Sequence, residues 1–402
     1  MKAHNFLLKK LILLIVAFLF ISCNSNAENE MLSDKTSKER LEMPNTTQPF
    51  INPQLNSLLA YDLASKGILS WKLEYNLKGI PGGAVSLLLM DDSRAILDYS
   101  NVFFLIDTFN NKILGFLNKS ANTFIFVCNE QEFNVFSSFR LFKLKFDTSQ
   151  SLPKKSYFVP GLGNYSRLFV FVPKADTYIV GTQSFGNPMY PEKAFGLLEK
   201  TYVGYDDKWN LAFNGLVVRP PVSLDGNFVI AQKDLISIVD SNGKAKEIKV
   251  EMLPVSCSIG ADNLIYMVCK IKNKNFIKAM DFDGSIRWEC VTSIAQLNQP
   301  PIVSKESTVF LIGSSKVEAF ANGGKLWELQ LTGTDKERQF ASVSNDGMLL
   351  VSDCDKLLCI NKAGEQVWAF KVAKGETIMT QPVLDSVGKV FIATDKKVLA
   401  IK

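Results

Sequence analysis

Residues 323–372 read GGKLWELQLTGTDKERQFASVSNDGMLLVSDCDKLLCINKAGEQVWAFKV. From each tryptophan the apolar side chains alternate, Trp327-Leu329-Leu331 and Trp368-Phe370-Val372, which marks a β-strand with one buried face. Between them lie a short apolar stretch, a turn, a second run ending at Asp353, and a hairpin that the pattern places at Asp355-Lys356. That register pairs Cys354 with Leu357 and Ser352 with Cys359. A third strand follows, then a glycine turn and the tryptophan strand. One unit therefore holds four strands, the pattern of a propeller blade.

The unit recurs along the chain. Trp327 and Trp368 are 41 residues apart, Trp288 and Trp327 are 39 apart, and Trp209 and Trp288 are 79 apart, leaving room for a degenerate copy around Ile248. Upstream, weaker copies near Phe116 and Phe158 divide the interval from Trp71 to Trp209 into steps of 45, 42 and 51. Several units open on proline, as in Arg219-Pro220-Pro221-Val222, Leu253-Pro254-Val255, Gln299-Pro300-Pro301-Ile302 and Gln381-Pro382-Val383. Proline is tolerated at a strand's first position, where its missing N–H costs little. The last unit stops at its third strand, VLAIK, whereas the first element, Ile68 to Tyr75, is a fourth strand with no three before it. The pattern thus predicts an all-β, eight-bladed β-propeller of four-stranded blades, its ring closed by the N-terminal strand pairing with the C-terminal blade. No stretch after residue 23 sustains a helical period over three turns.

The start of the chain follows different rules. Lys2, Lys9 and Lys10 precede the apolar run LILLIVAFLFI, which ends at Ser22-Cys23. The run has 11 residues, too short for the roughly 20 that cross a bilayer, and fits an export signal. Residues 1–22 are accordingly read as a signal peptide, 23–55 as a polar flexible tether and 56–402 as the propeller. The remaining cysteines, 128, 257, 269, 290, 354 and 359, show no metal-knuckle or CxxC spacing and read as buried thiols.

Charge and composition remove several function classes. Lys+Arg 45 against Asp+Glu 40, with no basic block beyond the start, is no nucleic-acid footprint. The single histidine, His4, lies in the signal, so histidine-based triads and histidine-ligated metals are not expected. Residues 183–208 carry an insertion of roughly ten residues into the repeat, where Tyr190, Phe195, Leu197, Leu198 and Tyr202 could form an apolar contact patch on a loop.

The phrase G-x-x-x-W, Gly284 to Trp288 and Gly364 to Trp368, following a VxAI-type strand and preceding Pro-Val, resembles the repeat of eight-bladed pyrroloquinoline-quinone-type propellers. The resemblance is clear from about 216 to 402 and over 61–75, and faint between 80 and 210. It implies that Trp71, Trp209, Trp288, Trp327 and Trp368 dock one blade onto the next. The quinone dehydrogenases of that fold carry adjacent cysteines and an acidic calcium site; this chain has no Cys-Cys pair, so no cofactor, no metal and no enzymatic activity are expected. The signal resembles that of bacterial lipoproteins at Ser22 and Cys23, which makes Cys23 the acylated residue and acyl chains the membrane anchor. An exported, acylated propeller of this kind is similar to the BamB family, which implies a monomeric scaffold at the periplasmic face of the outer membrane, partnered by the β-barrel assembly machinery. Display at the cell surface to bind a host or environmental ligand is the alternative.

Overall fold

The computed structural model describes residues from 59 to 402 except several connections, chiefly 76–83, 119–123, 128–131, 146–156, 159–166, 184–192, 201–204, 213–220, 222–226 and 333–338, with a few shorter gaps. From 124 to 212 it describes the backbone pairing of the strands, not their side chains.

Every element described is a β-strand, and every pairing is antiparallel between neighbours in sequence, with one exception. Eight sheets follow one another: I (84–118), II (124–158), III (167–212), IV (228–249), V (253–292), VI (302–330), VII (341–371) and VIII (383–401). Seven have four strands; IV has three among the described residues, and Val229 N there already donates to Pro221 O, 3.1 Å, where a first strand would run. The exception is sheet VIII. Its outermost strand is Leu69–Glu74, which pairs with Lys397–Ile401 through Leu69↔Ile401, Leu73↔Val398 and Glu74↔Lys397. The first and last described strands thus share a sheet, and Ile68 and Lys402 exchange backbone hydrogen bonds of 2.9 and 2.8 Å.

Local chemistry explains the strand order. First and second strands are runs of β-branched and aromatic residues such as VFLI (309–312) and VFIA (390–393), buried on both faces. Fourth strands such as Gln366–Lys371 alternate, with Trp368 and Phe370 half-buried and the residues between them exposed, because they form the outer edge. The prolines fall where a ladder donor is dispensable: Pro300, Pro301 and Pro382 precede the strands Ile302–Val303 and Val383–Leu384. Pro254 sits within Leu253–Ile259, beside a register shift that leaves Val255 bulged.

The core is a series of seams between successive sheets. Phe310, Ile312, Ala319, Trp327 and Leu329 of sheet VI meet Ala341, Val343, Val351, Leu358 and Ile360 of sheet VII. The next seam joins Leu350, Cys359, Trp368 and Phe370 to Leu384, Val390, Ile392 and Leu399. Each fourth strand that carries a tryptophan bulges at the residue before it: Ser70, Lys208, Arg287, Leu326 and Val367. The bulge re-aims the rings of Trp71, Trp288, Trp327 and Trp368 toward the following sheet.

Two sequence expectations change register here. The sheet VII hairpin turns at Cys354-Asp355, with Asp353 paired to Lys356 and Ser352 to Leu357, one residue earlier than the pattern suggests. Cys354 takes a left-handed φ of 61°, a conformation that two-residue hairpin turns demand. In sheet I the bulge falls at Leu114, so Gly115, not Phe116, occupies the tryptophan slot; Phe116 pairs with Phe104 and is 64% exposed.

Candidate functional site

In a four-stranded meander the turns joining strands one to two and three to four lie at one end of the sheet. The second-to-third hairpin and the connection to the next sheet lie at the other. The first end carries the glycine turns and the second gathers most of the buried polar side chains described below.

At the glycine-turn end, Gly364, Gly323 and Gly67 have φ of +84°, +79° and +78°, and each lies over the tryptophan of the preceding sheet: Trp327, Trp288 and Trp368 respectively. A methyl built on Gly364 would stand 2.6 Å from Trp327 Cγ. Trp327 Nε1 donates to Lys362 O of the same turn, 2.9 Å. Gly284 repeats the arrangement over Ile248 of sheet IV, and Lys246 Nζ donates to Asp283 O, 3.0 Å. There an aliphatic chain supplies the packing and a lysine supplies the donor that one indole supplies elsewhere. Sheet IV has no bulge in its last strand, so Lys246 rather than Ile248 pairs where a tryptophan would.

The hairpins at this end also tie neighbouring sheets together. Tyr266 Oη and Ser307 Oγ both donate to Asp262 Oδ2, 2.6 Å each, and Ser386 N donates to Asp92 Oδ1, 2.7 Å. Residues 59–67 run across the same end. Leu59 N donates to Val343 O (2.7 Å), Leu63 N to Asp346 Oδ1 (3.1 Å) and Ala64 N to Gly388 O (3.2 Å), so the segment straps the inner turns of sheets VII and VIII.

At the connection end, buried carboxylates receive the chain as it leaves the fourth strands of sheets V and VI. Glu318, fully buried, accepts from Thr292 Oγ1 (2.6 Å), Ser293 N (3.2 Å) and the Ser293 hydroxyl, with Lys325 Nζ at 3.4 Å and Lys316 Nζ at 3.6 Å. Asp353 accepts from Thr332 N and Oγ1, 2.9 and 2.8 Å. Glu376 is paired with Lys397 Nζ at 2.6 Å, and this carboxylate is the chief reason the Lys397 ammonium is held above its ordinary value. Closer to the first strands, Gln299 mimics a peptide group: its Nε2 donates to Ala341 O (3.1 Å) and its Oε1 accepts from Ala341 N (3.0 Å), which completes the inner edge of sheet VII. Gln381 Nε2 joins this pair at 3.3 and 3.4 Å, while its buried Oε1 has no partner among the described residues.

Lysines rim this end. Lys316, Lys356 and Lys397 hold equivalent positions, each the third residue before the one that pairs with the tryptophan. Lys316 and Lys397 are neutralised by Glu318 and Glu376. Lys356 has no ion pair among the described residues and stands directly opposite Lys371 across the strands. Lys371 is paired with Asp355, 3.1 Å, and Lys396 Nζ donates to Gly375 O, 2.9 Å, which brings it beside Lys374. Exposed carboxylates stand among these lysines, Glu74, Asp355 and Asp395, so this end presents charge of both signs.

The sequence-derived contact patch is arranged differently from a loop. Phe195, Leu197 and Leu198 belong to the strand Lys193–Lys200, paired with Thr177–Gln183 on one side and Tyr205–Ala212 on the other. Tyr190, Tyr202 and Cys23 lie outside the described residues. Trp209 lies in Tyr205–Ala212 opposite Leu197. Trp71 and Trp288 pack against Phe391 and Tyr266 of their own sheets, with ring centroids 5.8 and 6.0 Å apart. The glutamine and carboxylate latches escaped sequence reading; Gln299, Gln339 and Gln381, recurring where sheets VI, VII and VIII open, are the signal that could have found the glutamine ones.

No protein-family model and no curated protein matches the chain. Among solved structures, Sqt1 of Saccharomyces cerevisiae superposes with a TM-score of 0.56 at 11% identity, covering 86% of this chain and 98% of its own. The fold is a β-propeller. A streptogramin B lyase matches at 13% identity and a TM-score of 0.48, covering 83% of this chain and 97% of its own. Virginiamycin B lyase from Staphylococcus aureus matches at 12% identity and 0.44, covering 83% and 99%. The expectation that this chain is not an enzyme is corrected: enzymes, the lyases just named, stand among its structural neighbours, and a fold does not by itself fix a function. At such identities the likeness concerns the fold alone.

Proposed function

We propose that the chain is an exported docking scaffold: an eight-bladed closed propeller, acylated at Cys23, held at the periplasmic face of the outer membrane and bound to the machinery that inserts β-barrel proteins there. The observation that carries this reading is the G-x-x-x-W phrase joined to glycine-on-tryptophan packing between successive sheets, because the resemblance to pyrroloquinoline-quinone-type lipoprotein propellers rests on that phrase. Eight sheets in series, with Leu69–Glu74 completing the last of them, support closure into eight blades. The basic, short apolar start ending at Ser22-Cys23 supports export and acylation. Docking suits a rigid disk that presents loops at both ends.

Two measurements test the reading. Mass spectrometry of the mature chain should find acyl groups on Cys23 and none in Cys23→Ala. A mild-detergent pull-down should recover the central barrel insertase, and its absence would overturn the assignment. Digestion by protease added to intact cells would instead place the chain on the surface, as a receptor for an external ligand.

A further inference from the structure

We infer that the Asn322-Gly323 turn of sheet VI is a site of spontaneous covalent modification, where Asn322 is converted to aspartate and isoaspartate and the seam between sheets V and VI is loosened. Asn-Gly occurs at 214, 242 and 322, and the first of these lies outside the described residues. The third is built unlike its neighbours. In sheets IV, V and VII the turn between the third and fourth strands closes with a left-handed glycine donating back along the chain: Gly243 N to Asp240 O, Gly284 N to Asp281 O and Gly364 N to Asn361 O, 3.0 Å each. Sheet VI instead turns in two residues, with Ala321 paired to Gly324 and φ of 50° at Asn322 and 79° at Gly323. Left-handed backbone at both positions is what such a hairpin demands, and Asn-Gly is the pair that supplies it most readily.

The same pair is a chemical liability, because glycine leaves the nitrogen that follows asparagine unshielded. Asn322 is exposed, and neither Gly323 N nor the Asn322 side-chain amide makes a hydrogen bond among the described residues. Gly323 N, activated by hydroxide, attacks Asn322 Cγ; the bond from Cγ to the side-chain nitrogen breaks, and ammonia leaves with the proton that the glycine nitrogen gave up. Water then opens the five-membered succinimide at either carbonyl, to aspartate or to isoaspartate. At Asn242 the attacking nitrogen is already the donor to Asp240 O, a bond that must break first. Isoaspartate carries the chain through its β-carbon, one methylene longer, so the pairing of Ala321 with Gly324 is not kept. Gly323, on which a methyl would stand 3.1 Å from Trp288 Cβ, is then displaced from the ring it covers. None of this rests on the docking reading above.

The test ages the full chain in mildly alkaline buffer and maps its peptides over time, with isoaspartate read by methyl transfer from an isoaspartyl methyltransferase. Conversion at 322 should exceed that at 242 by about threefold or more in the folded protein, and the two rates should converge in denaturant, where neither glycine nitrogen is bonded. Aged protein should melt lower than fresh protein. Asn322→Gln, shown by circular dichroism to be folded, should keep its own melting point on ageing, and fresh Asn322→Asp, which adds the charge without lengthening the chain, should melt close to the parent. Equal or faster conversion at 242 in the folded state, or conversion at 322 confined to denaturant, overturns the site. Isoaspartate at 322 without a lower melting point, or an equal fall in aged Asn322→Gln or in fresh Asn322→Asp, overturns the loosening of the seam by a lengthened turn.

Discussion

Gly364 lies on the indole of Trp327, close enough that a single added methyl would come within 2.6 Å of Cγ, and the same indole donates to Lys362 O two residues before the glycine. The contact joins sheet VI to sheet VII through one residue that has no side chain and one that has the largest. Its φ of +84° is a second, independent reason for glycine at 364.

Those two reasons separate in a double-mutant cycle. Gly364→Ala should cost about 3 kcal/mol, part from the left-handed backbone at roughly 1–2 kcal/mol and the rest from overpacking the indole. In a Trp327→Ala background the clash is gone, and the same change should cost only the backbone part. Urea denaturation of the four proteins measures the coupling; additive costs would show that Trp327 does not abut the glycine turn.

The repeat was legible in the sequence because aromatic residues at period two announce an outer strand and a left-handed glycine four residues earlier announces its turn. What stayed hidden was register. A bulge inserts one residue without altering composition, so Phe116 reads as the tryptophan substitute although Gly115 occupies the slot. Counting four residues from Asn111, which has a φ of 56°, would have found it. In sheet IV one indole is replaced by two side chains, Ile248 and Lys246, a division of labour that a single-position pattern cannot express. The latch residues Glu318, Asp353 and Gln299 were illegible for another reason: their partners, Thr292 and Ser293, Thr332, and the Ala341 backbone, lie 21 to 42 residues away at no fixed spacing.

Leu59, ten residues before the first strand, is fully buried among Leu350, Ile378 and Leu384. Leu59→Ala should therefore destabilise by about 2–4 kcal/mol, as a core truncation does, rather than behave as a change in a linker. Thermal or urea unfolding checks this, and a change below about 0.5 kcal/mol would remove the strap from the folded body.

Asp385 is buried in the turn that begins sheet VIII, and that burial pushes its carboxyl above the ordinary range, with the nearby Asp92 acting in the same direction. A carboxyl raised in the folded state contributes stability that is full below its unfolded value, about 3.9, and is lost as pH rises through the folded value. Asp385→Asn keeps an acceptor for Lys389 N and removes the charge. The variant should melt higher than the parent at pH 7, and the difference should shrink on acidification toward pH 4. The sign is opposite to that of Asp107 and Asp283, which are held below the ordinary range; for Asp283 the chief cause is a hydrogen bond from Ser285 N, while for Asp107 hydrogen bonds from Asn110 and Phe109 outweigh an opposing burial effect. A difference that grows on acidification would contradict the assignment.

The cysteines divide by surroundings. Burial pushes the thiols of Cys257, Cys269 and Cys359 up to about 12, so that almost no thiolate exists near neutral pH, while Cys290 and Cys354 are half-exposed, within a fourth strand and in a hairpin turn. Since the thiolate is the nucleophile, an alkylating reagent at pH 8 should modify Cys290 and Cys354 at least about tenfold faster than the buried three, as peptide mapping would resolve. The difference should vanish in denaturant, where all five share one environment. Fast labelling of Cys359 in the folded protein would mean that the seam between sheets VII and VIII opens, because Cys359 is enclosed there with Leu350, Leu384 and Leu399.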